Sequence, residues 1–471
     1  MIVGSVELFV RQGTGIRTFS RSLVAAMVSK QIAALDLLIS TSSSTASGLL
    51  SGSNILQKHS KQARLSKIFS FLRIKKRQYV RLPFLSSVLR LSRVPPAHPL
   101  HQALLGVCFE QPARDYNPRV SSDYAETGSS DRGFICSKDI FLDAPISFKA
   151  TRRLLQLRLP ASMKSHADNQ IVYHSPLPYP IFIRGCTNVS TIHDLIPLSH
   201  PDLCLDDPRY FYDLVDSLLG QSDGIHCISQ YTADQLKRFY GAKGENKVFV
   251  AHQPIPLSHL DSAYQEEVIS RLKSRYNEGL SGDRYILQVG SIEPKKNHLT
   301  TLDAFRRLRE KDQSLRLILI GKPGWLTEDL CDYLVTAKSD GIEWLRSVSY
   351  GSMTKYLQGA SAVVFPSIVE GWGLPPLEAM SYGAPVIASP ISPCREACGA
   401  AASYMDDPLD SVSLAYKLNE LLTDYDRASD LIYAGFDQAS KYSSLQFATD
   451  LFQGYSKVFS PANSRRAKLS L

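Results

Sequence analysis

Glu370 and Glu378 stand with seven residues between them, Gly371-Trp372-Gly373-Leu374-Pro375-Pro376-Leu377, and that spacing could do a particular kind of chemistry. Proline is tolerated in the first turn of a helix and not in its interior, so the spacing predicts a helix beginning near residue 375 with Glu378 in its opening turns. Glu370 then lies ahead of the helix, and the two glycines of the intervening loop permit a close backbone approach. Free N–H groups and the positive end of the dipole at a helix start suit phosphate oxygens, while carboxylates on either side accept hydrogen bonds from hydroxyls. A ligand with a hydroxyl-rich head, a diphosphate middle and a ribose tail matches that order of groups. The plainer alternative is that Glu378 only complements the helix dipole and Glu370 is a solvated loop residue.

Three further stretches carry candidate chemistry. Lys295 and Lys296 follow an apolar run and Gly290 (YILQVGSIEPKKN), where two cations would neutralise a departing phosphate. His193 and Asp194 close another apolar run in TIHDLIPLSHPD, although a lone histidine there is ordinarily a packed core residue. Near the N-terminus, GTGIRTF offers Gly13 and Gly15 as a turn that approaches a phosphate, with Arg17 beside it. A glycine pair matches many turns, and the third glycine of a dinucleotide-binding G-x-G-x-x-G is absent, so hydride transfer fits poorly.

The elements that must position these residues are legible as alternation. In the second half the runs 285–291, 315–321, 362–367 and 384–389 alternate with helical patterns such as LTTLDAFRRLREKD and MTKYLQGA, which implies crossover units and a parallel sheet covered on both faces. A second alternating set occupies 171–176, 188–195, 224–229 and 247–252, with Ser229 as N-cap and Gly241 as terminator of a helix between the last two. The fold class expected is α/β with two doubly wound sheets. Pro254 and Pro256 open a polar stretch where the domain boundary belongs. The expected division is a first domain over 1–256 with an unmatched insertion at 40–165, a second over 257–445, and a C-terminal helix or tail over 446–471 that packs back on the first.

EGWGLPPLEAMSYGAPVIAS resembles the retaining glycosyltransferases of family 4, a group with the GT-B architecture of two Rossmann-like domains facing across a cleft. The resemblance implies that Glu370 contacts the transferred sugar, that Glu378 binds ribose hydroxyls, and that Gly371, Trp372, Gly373 and Leu374 line the donor, with backbone N–H groups of the last two on the phosphates. QVGSIEPKKNHLTTLDAF is similar to the family's diphosphate-holding element, which carries that role to Gly290, Lys295 and Lys296. Ser291 stands where many members have arginine, and Lys296 is the stronger candidate. By the same resemblance His193 sits near sugar and acceptor, Asp194 orients its loop, Gly13 and Gly15 approach the diphosphate, and Arg17 contacts phosphate or acceptor. The implied reaction moves a hexose of mannose or glucose type from a nucleotide sugar to a glycan or lipid-linked glycan, as in surface polysaccharide synthesis. No metal cofactor is expected, because the adjacent pairs Asp206-Asp207 and Asp406-Asp407 stand before proline and read as turn residues. A GT-B-type nucleotide-sugar epimerase, a phosphorylase and a non-catalytic nucleotide-sugar-binding scaffold are the alternatives.

Composition narrows the partners. The 471 residues exceed one core, and 44% hydrophobic with 21% charged residues suits a globular chain. Eight scattered cysteines without a C-x-x-C pair suit reduced thiols, and Cys394 and Cys398 read as small filler residues. The start lacks a basic and apolar leader and no run is long enough to span a bilayer, so the chain reads as cytoplasmic. Its net charge of +8 is unevenly placed: residues 58–93 hold eleven Lys or Arg among Phe, Ile and Leu, and no acidic residue lies between Asp36 and Glu110. That composition suits an anionic membrane surface at the inner face, or else a solvated helix face. Nucleic acid is set aside, since no binding motif or aromatic platform accompanies the charge.

Overall fold

The computed structural model describes side chains at residues 19, 22–23, 172–178, 182, 187–257, 260–276 and 284–459, and backbone strands also at 2–4, 36–40, 138–142, 155–158 and 181–184. Gly13, Gly15, Arg17, the basic stretch 58–93 and nearly all of 40–165 lie outside the described residues.

Short apolar runs become strands. The first sheet joins β1 (Ile2–Gly4), β2 (Asp36–Ser40), β3 (Lys138–Leu142), β5 (Val172–Ser175), β7 (Thr187–Ile192), β8 (Gly224–Cys227) and β9 (Val248–Val250), while β4 (Leu155–Arg158) and β6 (Ile181–Arg184) pair separately. Its order is β3-β2-β1-β5-β7-β8-β9, with every pair parallel. The second sheet holds β10 (Tyr285–Val289), β11 (Arg316–Ile320), β12 (Ile342–Leu345), β13 (Ala362–Phe365), β14 (Val386–Ala388) and β15 (Ser403–Tyr404), in the order β12-β11-β10-β13-β14-β15 and again all parallel. Strands covered on both faces read as unbroken apolar runs because neither side meets water: Ile286 and Leu287 of β10 and Val364 of β13 have no exposure. Each sheet reverses its winding once, at β1/β5 and at β10/β13, and ligands in such sheets collect at the carboxyl ends of the strands at that point.

The described helices are α1 (Ile196–Ser199), α2 (Pro208–Gln221), α3 (Gln230–Tyr240), α4 (Ser262–Asn277), α5 (His298–Arg309), α6 (Glu328–Thr336), α7 (Tyr350–Gly359), α8 (Leu374–Ser381), α9 (Ser392–Cys398), α10 (Ser411–Thr423), α11 (Tyr425–Ser440) and α12 (Ser444–Val458). Their ends follow local chemistry. The Ser229 hydroxyl accepts from Thr232 N to cap α3, and Gly241 ends it at φ 61. Asp207 caps α2 by accepting from Arg209 N and Tyr210 N, which places it in a turn before proline. Asp407 does the same for Leu409 N. The chain's Asp-x-Asp triplet, Asp424-Tyr425-Asp426, opens α11 with Asp424 as its cap.

α12 leaves the second domain and packs on β8 and β9 of the first. Gly454 lies so close to the Phe249 ring that an added Cβ would sit 2.1 Å from it, and the Tyr455 hydroxyl meets His174 Nδ1 at 2.5 Å. An apolar cluster runs without a break from Phe249 and Phe447 through Trp372 to Leu377 and Phe365, so the two sheets share buried contacts. Among the described residues no helix is long and apolar enough to cross a membrane.

Candidate active site

The carboxyl end of β10 leads through Gly290, at φ 155, into a short turn carrying Lys295 and Lys296. That positive φ favours glycine over any residue with a Cβ. The turn is stiff: Lys296 N donates to Glu293 O at 3.0 Å, Gln288 Nε2 donates to Lys296 O at 2.8 Å, and Asn297 follows in the left-handed conformation, φ 54. Asn297 Nδ2 reaches Pro366 O at 3.0 Å and Pro408 O at 2.6 Å, tying the turn to the segments after β13 and β15. Asparagine tolerates this backbone because its short polar side chain bonds locally.

At the neighbouring strand end, β13 runs into the loop that holds Glu370. The Ile368 N–H donates to Lys295 O at 2.9 Å, which sets the two loops side by side. The Lys296 ammonium makes an ion pair with Glu370 Oε1, with side chains only 14% and 11% exposed. Ionised partners taken this far out of water are retained only if paired. Lys295 is the more outward cation, 3.6 Å from Glu293. Burial works to lower its pKa, but the charges of Glu370, Glu293 and Asp194 outweigh it and hold the ammonium above its ordinary value.

Glu378 lies in the second turn of α8, as the proline pair requires. Among the described residues no donor hydrogen-bonds its carboxylate, and burial pushes its pKa up to about 7. Tyr350 and Tyr382, joined hydroxyl to hydroxyl at 3.1 Å, lie close enough to feel its charge. A half-buried carboxylate without a protein donor gains from donors that a ligand brings, because hydrogen bonds to the charged form favour it.

The opposite wall comes from the first domain. His193 follows β7 and donates from Nε2 to Pro176 O at 2.7 Å, which leaves Nδ1 as an acceptor. Burial lowers its pKa against the pull of the Pro176 carbonyl and Asp194, so the ring is neutral near pH 7. Asp194 Oδ1 accepts from Ile196 N at 3.0 Å and shapes the loop into α1. Gly371 presses on this loop: a Cβ there would lie 2.3 Å from His193 O and 2.7 Å from Asp194 Cβ. Ser229 Oγ donates to Gly371 O at 2.7 Å and Thr232 Oγ1 to His193 O at 3.1 Å.

The structure therefore brings together Gly290, Lys295, Lys296, Glu370, Gly371, Gly373, Leu374 and Glu378 at the strand ends of the second sheet, with His193 and Asp194 facing them. Trp372 departs from the others. Its ring is buried against His252 at 4.8 Å and Tyr442 at 5.2 Å, so its side chain packs between domains. Sequence reasoning passed over Asn297, whose asparagine after two lysines is a left-handed-turn signal, and Glu396 and His252, for which no local pattern exists. Among the described residues no group of three His, Cys, Asp or Glu side chains is placed to hold a metal ion.

Residues 270–438 match the family described as glycosyl transferases group 1. The chain is 27% identical over 326 residues to O-antigen chain mannosyltransferase B of Escherichia coli, covering 66% of this chain and 80% of that one. It is 26% identical over 246 residues to the serotype-specific mannosyltransferase WbdA of Escherichia coli, covering 50% of this chain but spanning only 30% of that protein's length. Among solved structures, sucrose-phosphate synthase from Thermosynechococcus elongatus superposes with a TM-score of 0.58 at 14% identity, over 97% of this chain and 98% of that one. The likeness shows the GT-B fold for the described residues.

Proposed function

We propose, from the match of residues 270–438 to the group 1 glycosyl transferases, that the chain transfers a hexose from a nucleoside diphosphate sugar to a hydroxyl of a glycan or lipid-linked glycan. The observation that carries the reading is the buried Lys296–Glu370 pair at the switch point of the second sheet, with the unbonded Glu378 on one side and the His193 loop on the other.

The residues divide the donor among them. Glu378 accepts from the ribose hydroxyls. The N–H groups of Gly373 and Leu374, at the start of α8, and the Lys295 and Lys296 ammonium groups meet the diphosphate. Glu370, with Oε1 held by Lys296, offers Oε2 to the sugar hydroxyls, and His193 Nδ1 accepts from another. Gly13, Gly15 and Arg17 are assigned to the diphosphate and acceptor by resemblance alone.

Transfer proceeds with retention by front-face substitution. The bond from the anomeric carbon to the phosphate oxygen breaks as the bond to the acceptor oxygen forms on the same face, and the departing phosphate oxygen takes the acceptor's proton. A double displacement needs a carboxylate nucleophile about 5 Å from its partner across the scissile bond. Glu370 is committed instead to Lys296 and the sugar hydroxyls. The charge that grows on the leaving diphosphate is met by the two lysines and the helix start, so turnover that persists in EDTA is the expected result. We assign a cytoplasmic location with the basic segment 58–93 against anionic lipid, and liposome flotation with and without anionic lipid tests it.

The deciding experiment is binding and turnover across UDP-, GDP-, ADP- and dTDP-sugars, with wild type beside Glu370→Ala and Lys296→Ala. One preferred donor, with turnover lost in both variants, is expected. Binding without turnover would leave the scaffold reading, and absence of binding by every donor would overturn both.

A further inference from the structure

Glu396 belongs to α9 of the second domain, yet its carboxylate serves the first. Oε1 accepts from Gln230 N at 2.6 Å and Oε2 from Tyr231 N at 2.8 Å, the two N–H groups that open α3. Oε1 also meets His252 Nε2 at 2.7 Å, in the segment that leaves β9 for the second domain. The His252 ring packs on Trp372 and Tyr442, and the Tyr442 hydroxyl donates to Glu396 O at 3.1 Å. Burial works against the Glu396 charge, but the bonds from His252, Tyr231 and Gln230 outweigh it and hold the carboxyl below its ordinary value. An anion at a helix N-terminus is favoured by the free N–H groups and the dipole together.

The residue just before Gln230 is Ser229, whose hydroxyl holds Gly371 O, and Gly371 follows Glu370. From the other side Trp372, the next residue along, is held by the His252 and Tyr442 rings that Glu396 itself touches. The loop that carries Glu370 is thus gripped at two adjacent residues by groups that one carboxylate fixes. We infer that Glu396 is a positioning residue that holds the two domains together in the arrangement described and so sets the Glu370–Gly373 loop against the His193 loop.

The inference rests on the proposed function only for its kinetic readout, so the experiment pairs that with hydrogen exchange on the full chain. Glu396→Ala is expected to speed exchange about tenfold or more at Gln230–Thr232 and at Gly371–Gly373 together, while β10 and β11 stay protected. The donor KM is expected to rise about tenfold with kcat changed less, since the chemistry of Lys296 and Glu370 is untouched. Glu396→Gln keeps one acceptor oxygen without the charge and is expected to fall between. Unchanged exchange at Gly371–Gly373 would make Glu396 a local helix cap and overturn the inference. If Glu396→Ala loosens β10 and β11 as well, Glu396→Gln decides by the same criterion. A wild type that turns over no nucleotide sugar would overturn the proposed function and leave the exchange result standing.

Discussion

Each half of the molecule buries a chain of polar groups, and the two chains are built on opposite rules. Under the first sheet the Tyr455 hydroxyl meets His174 Nδ1, His174 Nε2 meets Thr191 Oγ1 at 2.8 Å, Thr191 meets His226 Nδ1 at 3.3 Å, and His226 Nε2 ends on Ala251 O at 2.9 Å. Every link is neutral, because burial depresses both histidines, His226 to about 3. In the second half the buried link is ionic, Lys296 to Glu370, and Glu378, on the helix that follows, accepts from no described donor. Neutral groups in a closed chain satisfy one another and ask for nothing further. Charges held out of water beside an unbonded carboxylate are tolerable where a charged, hydroxyl-bearing ligand completes them. What separates the halves is therefore completeness, and the incomplete one is the candidate site.

Breaking the ionic chain should have the larger effect. Lys296→Ala is expected to cut turnover by about 10² to 10³. It also strands Glu370 in a buried position at a cost of about 3 to 5 kcal/mol, read from urea unfolding. The double variant Lys296→Ala/Glu370→Ala should recover part of that stability and none of the activity. If the double variant is no more stable than either single one, the two charges are not coupled and the contrast fails.

Breaking the neutral chain should cost less and leave donor affinity alone. Tyr455→Phe removes one partner and leaves His174 Nδ1 unsatisfied, for a loss of about 1 to 3 kcal/mol by the same measurement. A loss of nucleotide affinity in this variant would mean that the two halves are not separable.

In pH the two chains should answer with opposite sign. His226 has a folded pKa below its unfolded value of 6.5, so its contribution is present above pH 6.5 and is lost as pH falls toward 3. The unfolding midpoint should decline below pH 6.5, and His226→Gln should flatten that decline. Glu378 has a folded pKa raised from 4.5 to about 7, so folding favours its protonated form, and that contribution fades as pH rises through 7. The ionised form is the one that accepts ribose hydroxyls. Calorimetric affinity for a nucleoside diphosphate should therefore rise by up to about tenfold per unit toward pH 7 and level off above, with no such trend in Glu378→Gln.

How much of this was legible in the sequence depended on distance along the chain. The strands of the second sheet were readable as apolar runs, and the start of α8 was readable because two prolines admit a helix only at its first turn. Ser229 was readable as a cap because its partner Thr232 is three residues away. Its second role, holding Gly371 O, joins residues 142 apart and leaves no local pattern. The same is true of Glu396 on Gln230 and of Tyr455 on His174, 166 and 281 residues apart. Trp372 shows how a motif can mislead. It sits among donor-lining residues in sequence, while its ring packs against two aromatic side chains from elsewhere in the chain.

The crossing of α12 onto the first sheet has a mechanical consequence. The chain passes between domains twice, once after β9 and once between α11 and α12, and the passages touch where Ile255 N donates to Tyr442 O at 3.0 Å. A body joined to another by a single thread can swivel in any direction. Two threads that touch restrict relative rotation more than one would, so the register of His193 against Glu370 depends on both passages.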